Sequence, residues 1–76
     1  MDYQDRITMN PLIRSGKPTI RGMRITVADV LSWLASGMTN DEILLDYPEL
    51  TLDDIYTCLA YAADSQNRIV SLKAAA

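Results

Sequence analysis

Three kinds of side chain here could do chemistry: two adjacent carboxylate pairs, one thiol and a run of cations. Asp41 with Glu42 and Asp53 with Asp54 are the pairs that general acid–base work would recruit. Cys58 is the lone thiol, and Arg14, Lys17, Arg21 and Arg24 form the run. Histidine is absent, which removes the usual general base and the usual metal ligand together. One cysteine without histidine cannot build a zinc site. Gly16-Lys17 invites comparison with a phosphate loop, which needs a glycine five residues before Gly16 and Ser or Thr after Lys17. Positions 11 and 18 are both proline, so the motif is missing. With no nucleophile and base pair and no ligand cluster, the expectation is a protein with no catalytic residues, no cofactor and no metal, and not an enzyme.

The carboxylate pairs have another role, set by what surrounds them. Ile25-Thr26-Val27-Ala28-Asp29-Val30, Met38-Thr39-Asn40-Asp41-Glu42-Ile43 and Leu50-Thr51-Leu52-Asp53-Asp54-Ile55 share one grammar. Each has an apolar residue, a Thr, an acid three residues later and an apolar residue next, which is a hydrophobic staple around a capping box. Three helices therefore start at Thr26, Thr39 and Thr51, and acids in their first turns complement the helix dipoles. Val27, Val30, Leu31 and Leu34 mark the buried stripe of the first helix, which Gly37 ends. Ile43, Leu44 and Tyr47 mark the second, stopped by Pro48. Ile55, Cys58, Leu59 and Ala62, with Leu52 a turn earlier, mark the third.

The segment before these helices reads as extended. A loop of Ser15 to Pro18 pairs Ile13 with Ile20 and sets Arg14 opposite Thr19. A two-residue Ser15-Gly16 turn would oppose Arg14 and Lys17, an unfavourable like-charge pair. The longer loop is preferred, with Pro18 confined to a strand edge or start. Asn10-Pro11 turns the chain out of an earlier extended piece at Ile7 to Met9. Beyond Asp64, Arg68 to Leu72 either extends the third helix or forms a separate β segment. Its apolar Ile69, Val70 and Leu72 suit either a dimer contact or packing on the same domain, and Ala74 to Ala76 reads as a frayed end.

The fold class expected is mainly α: a tri-helical, helix-turn-helix-like (winged-helix-like) domain with a small N-terminal β-hairpin. Seventy-six residues make one domain, 1–76, with a core at 5–64 and a C-terminal extension at 65–76. A chain this short buries a modest share of its surface, and a single Cys offers no disulfide, so self-association is the remaining source of stability and a homodimer is expected. Neither a secretory leader nor a membrane span is evident, and a cytoplasmic location is expected.

Charge is divided by position. Arg6, Arg14, Lys17, Arg21 and Arg24 stand against Asp2 and Asp5, whereas residues 25–64 hold eight acids and no Lys or Arg. The third helix has the proportions of a DNA-reading helix but offers Asp53, Asp54, Tyr56 and Thr57 at its start, side chains poorly matched to base edges or phosphates. The basic run suits a solvated hairpin edge, a phosphate backbone or an acidic protein surface. Trp33 departs from the inward stripe of its helix, which leaves packing on the hairpin or a place in an interface.

The runs Gly16-Lys17-Pro18-Thr19-Ile20-Arg21-Gly22-Met23-Arg24-Ile25-Thr26-Val27, Gly37-Met38-Thr39-Asn40-Asp41-Glu42-Ile43-Leu44 and Asp46-Tyr47-Pro48-Glu49-Leu50-Thr51 strongly resemble domain-of-unknown-function family 433. The resemblance covers roughly residues 5–64, and it departs from the family pattern at Met23, where Thr is usual. It implies a tri-helical domain with a small β element. Members look like VapB-type antitoxins encoded beside PIN-like ribonucleases, so the resemblance implies a module that neutralises a nuclease toxin and regulates its own operon through operator DNA. The alternatives are a DNA-binding regulator without a toxin and a generic interaction domain. On the antitoxin reading, Arg14, Lys17, Arg21, Arg24 and Trp33 are the candidate contact residues, the cations covering a carboxylate-lined nuclease site. Replacing Arg21 and Arg24 by Glu is then expected to abolish the complex without unfolding the domain.

Overall fold

The computed structural model describes residues 5–75, with side chains described as far as Gln66. Two short antiparallel strands, β1 (Ile7–Thr8) and β2 (Thr19–Ile20), precede three helices, α1 (Val27–Ala35), α2 (Asn40–Asp46) and α3 (Leu52–Ala75). This is the mainly helical domain with a small N-terminal hairpin that the sequence implies.

The three capping boxes form as read. Thr26 Oγ1 accepts from the Asp29 amide at 2.9 Å while Asp29 accepts from the Thr26 amide at 3.1 Å. Thr39 and Glu42 repeat the exchange at 3.1 and 2.9 Å, and Thr51 and Asp54 at 3.3 and 2.9 Å. Each box satisfies two amide donors that a helix start otherwise leaves without partners. The end of α1 is also explained by its sequence. Gly37 takes φ +100°, and the amides of Gly37 and Met38 donate to the carbonyls of Leu34 and Trp33 at 3.1 Å each, the Schellman arrangement that glycine permits.

The hairpin differs from the expected register. Ile20 pairs with Ile7 and Thr19 with Thr8, so Ile13 and Arg14 are not in the ladder and the connection is residues 9–18. The cause lies at Arg14, Ser15 and Gly16, whose φ values of 50°, 60° and 81° make a left-handed turn closed by Gly16 N–H to Ile13 O at 3.1 Å and Lys17 N–H to Arg14 O at 3.2 Å. A turn placed there leaves Leu12 89% exposed. The expected turn at Asn10-Pro11 is present, with the Ile13 amide on Asn10 O and the Leu12 amide on Asn10 Oδ1, both at 2.9 Å. On its other side β2 bridges Thr26, with the Ile20 amide on Ile25 O at 3.0 Å. The strand thus leads directly into the cap of α1.

Ile20, Val27, Val30, Ile43, Leu50, Ile55 and Cys58 form the core. On α3 the buried arc is turned relative to the expected stripe. Leu52 and Leu59 are 41% and 43% exposed, while Asp54 and Thr57 are buried. Thr57 is accommodated by donating to Asp53 O at 2.7 Å, and Asp54 by the arginines described below. The helix therefore presents a polar pair inward and Leu52 and Leu59 outward. Beyond Asp64 the chain continues α3 to Ala75, which selects the helical alternative. A dimer contact by Ile69, Val70 and Leu72 falls outside the described side chains.

Candidate interaction surface at the hairpin edge

The hairpin cations fall into two groups. Asp54, with no solvent exposure, accepts from Arg21 Nε at 3.1 Å, Arg21 Nη2 at 2.7 Å and Arg6 Nη1 at 2.8 Å, besides the Thr51 amide. Arg21 Nη2 also donates to Glu49 O at 2.9 Å. A buried carboxylate is tolerated only when so surrounded. Burial by itself would raise its pKa, but the hydrogen bonds from Arg21, the Thr51 amide and Arg6, with the Arg21 charge, outweigh it and hold the carboxyl below the ordinary range. The same contacts raise the Arg21 guanidinium, first through its hydrogen bonds to Asp54 and then through the charge of that carboxylate.

Arg14 repeats the arrangement at α1. Its Nη1 donates to Asp29 Oδ2 at 3.0 Å and to Arg24 O at 2.9 Å. Burial pushes the Asp29 carboxyl up, and the Thr26 amide, Arg14 and the Thr26 hydroxyl bring it below its ordinary value. Arg21, like Arg14, has a left-handed backbone, φ 47°. With Gly22 at φ 73° and the Met23 amide on Ile20 O at 2.8 Å, it forms a tight turn of the type in which both central residues need positive φ.

Arg14 and Arg21 are therefore engaged within the domain, and the expectation that Glu at 21 and 24 would leave it folded is corrected. Glu at 21 would set a carboxylate against buried Asp54. Lys17 and Arg24 are the two hairpin cations whose side chains have no internal partner among the described residues. Both adjoin Arg14, Lys17 through its amide and Arg24 through its carbonyl. Lys17 also lines a groove of about 400 Å³ between the hairpin and helices α1 and α3, whose walls are chiefly Pro18, Val27, Ala28, Leu31, Tyr61 and Ala62.

Trp33 is neither on the hairpin nor free. Its ring stacks on Tyr47 with centroids 4.1 Å apart and planes 8° from parallel, joining α1 to the end of α2. Cys58 is buried, and burial first, then the charge of Asp54, pushes its thiol up to about 12, where the nucleophilic thiolate is scarce at neutral pH. No cluster of three or more His, Cys, Asp or Glu suited to a metal ion occurs among the described residues. Nor is any described helix long and apolar enough to cross a membrane.

Arg6 and the groove were not among the candidate contacts read from the sequence. Arg6 and Asp54 are 48 positions apart, and no local spacing signals such a pair.

These features define a small tri-helical domain whose first and third helices are braced by arginines of an N-terminal hairpin. The chain belongs to the family described as protein of unknown function (DUF433), whose sequence model matches residues 7–62. It is similar to the crystal structure of a DUF433 member protein from Anabaena variabilis ATCC 29413, with a TM-score of 0.77 and 28% identity, covering 93% of this chain and 70% of that one. Comparison with curated proteins gave no match.

Proposed function

We propose that the domain is a cytoplasmic protein-binding module of the antitoxin type, not an enzyme, and that it holds a PIN-like nuclease through the hairpin edge. The observation that carries this reading is the pairing of two free cations, Lys17 and Arg24, with an apolar groove that Lys17 itself lines. An acidic rim with one apolar side chain is the complementary partner, because Lys and Arg meet carboxylates while the groove takes the apolar group. The resemblance to VapB-type antitoxins supports a nuclease, with a carboxylate-lined metal site, as that partner. DNA fits less well, since the start of α3 carries Asp53, whose side chain is 67% exposed, and would approach phosphates with like charge.

The test is capture of the tagged chain from its native cells at moderate salt, with bound protein and nucleic acid measured in one eluate. A stoichiometric small nuclease is expected, lost in the Lys17→Glu/Arg24→Glu double variant with the helical circular dichroism unchanged. Nucleic acid without a protein partner, with affinity falling steeply as salt rises, would replace this reading by an operator-binding regulator.

A further inference from the structure

The outward side of α2 carries side chains that the fold does not use. Leu45 is 82% exposed, with Asp41 and Glu42 one turn before it on the same side and Asp46 and Glu49 beyond it, all exposed. Glu42 closes the capping box and Asp41 suits the helix start. Asp46, however, is the last residue of α2, where the dipole disfavours an acid, and no base stands in that turn to offset it. Among the described residues no Lys or Arg side chain pairs with any of these acids. An exposed leucine alone is ordinary. This one differs because the same chain carries its complement.

The complement is the hairpin edge, where Lys17 and Arg24 are exposed and Lys17 borders the apolar groove of about 400 Å³. We propose that α2 of one copy docks on the hairpin edge of the next, Leu45 entering the groove against Leu31 and Tyr61 while Asp46 and Glu49 meet Lys17 and Arg24. Charge and shape select a second copy together. The acids and the leucine stand on one face, and the described cations left without an internal partner stand beside an apolar hollow on another, so opposite signs and knob and hole meet in a single contact. No α2 residue lines the groove, so α2 does not fill its own. Such an interface joins two different patches, and each docked copy leaves its own groove open to a third. Association therefore runs head to tail, into a ring or an open chain, and does not end at a pair. A docked copy covers the edge proposed for the nuclease, so the two occupants exclude one another.

Sedimentation velocity on the full chain, run from micromolar to millimolar concentration, tests the docking. The mean mass is expected to rise past two copies. Leu45→Gln/Asp46→Asn removes the inserted face, and Lys17→Glu/Arg24→Glu the receiving edge. Either double variant alone should weaken association about tenfold or more, with the circular dichroism unchanged because all four side chains are exposed. Mixed in equal amounts, the variants hold one intact groove and one intact α2 face between them, and should form a complex of one of each that grows no further. A chain that stays monomeric, a mass that levels at two, a variant as associated as the parent, or a mixture no heavier than its components would overturn the proposal. Nuclease capture separates the two readings, since Lys17→Glu/Arg24→Glu is expected to lose it and Leu45→Gln/Asp46→Asn to keep it. Self-association without a captured nuclease removes the nuclease reading alone, and capture by a chain that remains monomeric removes the docking alone.

Discussion

The starts of α1 and α3 differ from the start of α2, although all three are built from the same capping box. At α1 and α3 the acid of the box, Asp29 or Asp54, also receives an arginine from the hairpin. At α2 the acid is Glu42, which is exposed and, among the described residues, interacts only with Thr39. Its carboxyl is lowered chiefly by the Thr39 amide and then by the Thr39 hydroxyl, whereas the aspartates are lowered by groups from distant sequence as well. A capping box thus determines where a helix begins, but not what the helix end is tied to. The acid keeps acceptor capacity for tertiary use: at Asp29 Arg14 shares Oδ2 with the Thr26 amide, and at Asp54 Arg6 and Arg21 take Oδ1 while Arg21 also joins the Thr51 amide on Oδ2. α2 depends instead on Ile43 in the core and on the Tyr47 ring beside Trp33.

The contrast can be broken most severely at Asp54. Asp54→Asn leaves two cations facing a neutral amide and should cost about 3 kcal/mol or more, read from urea denaturation. A loss no larger than for Glu42→Gln would show that the hairpin brace has no energetic weight. Arg21→Gln removes the two charge-assisted hydrogen bonds to Asp54 and the one to Glu49 O while Arg6 remains, and about 2 kcal/mol is expected. Arg14→Gln, acting on half-exposed Asp29, should cost about 1 kcal/mol or less.

Acid sharpens the same comparison. Asp54 and Asp29 are held below the ordinary aspartate value of 3.8, so the stability they contribute is fully present above that value. It is lost as pH falls through their lower folded-state values. Stability should be level near neutrality and decline below about pH 4, and the decline should be shallower in Asp54→Asn, whose plateau is already lower. An equal acid slope in the two proteins would place the titrating groups elsewhere. The smallest stability effect is expected from Lys17→Glu/Arg24→Glu, within about 0.5 kcal/mol of the parent, because neither side chain has an internal partner among the described residues.

Legibility followed the range of the interaction. The boxes at Thr26, Thr39 and Thr51, the glycine end of α1 and the turn at Asn10 were readable because each closes within a few residues. The register of β1 on β2 was not, because local loop closure favoured Ile13 whereas Arg14 turns left-handed to reach Asp29. Asp54 read as a dipole-stabilising surface acid, and the arginines that allow its burial come from positions 6 and 21. Its inward place displaced Leu59 from the expected stripe. Of the candidate contact residues, Lys17 and Arg24 keep open side chains, Arg14 and Arg21 are held by acids of the domain, and Trp33 is stacked on Tyr47. None of those pairings has a signature in spacing, since each depends on where separate elements meet.

The Trp33 stack has an optical consequence. Trp33 is the sole indole in the chain, and its ring, carried by α1, lies on Tyr47 at the end of α2. Its emission therefore reports the contact between braced α1 and unbraced α2. Fluorescence and far-ultraviolet dichroism, followed through one denaturant titration, would show whether the unbraced helix separates before the braced pair.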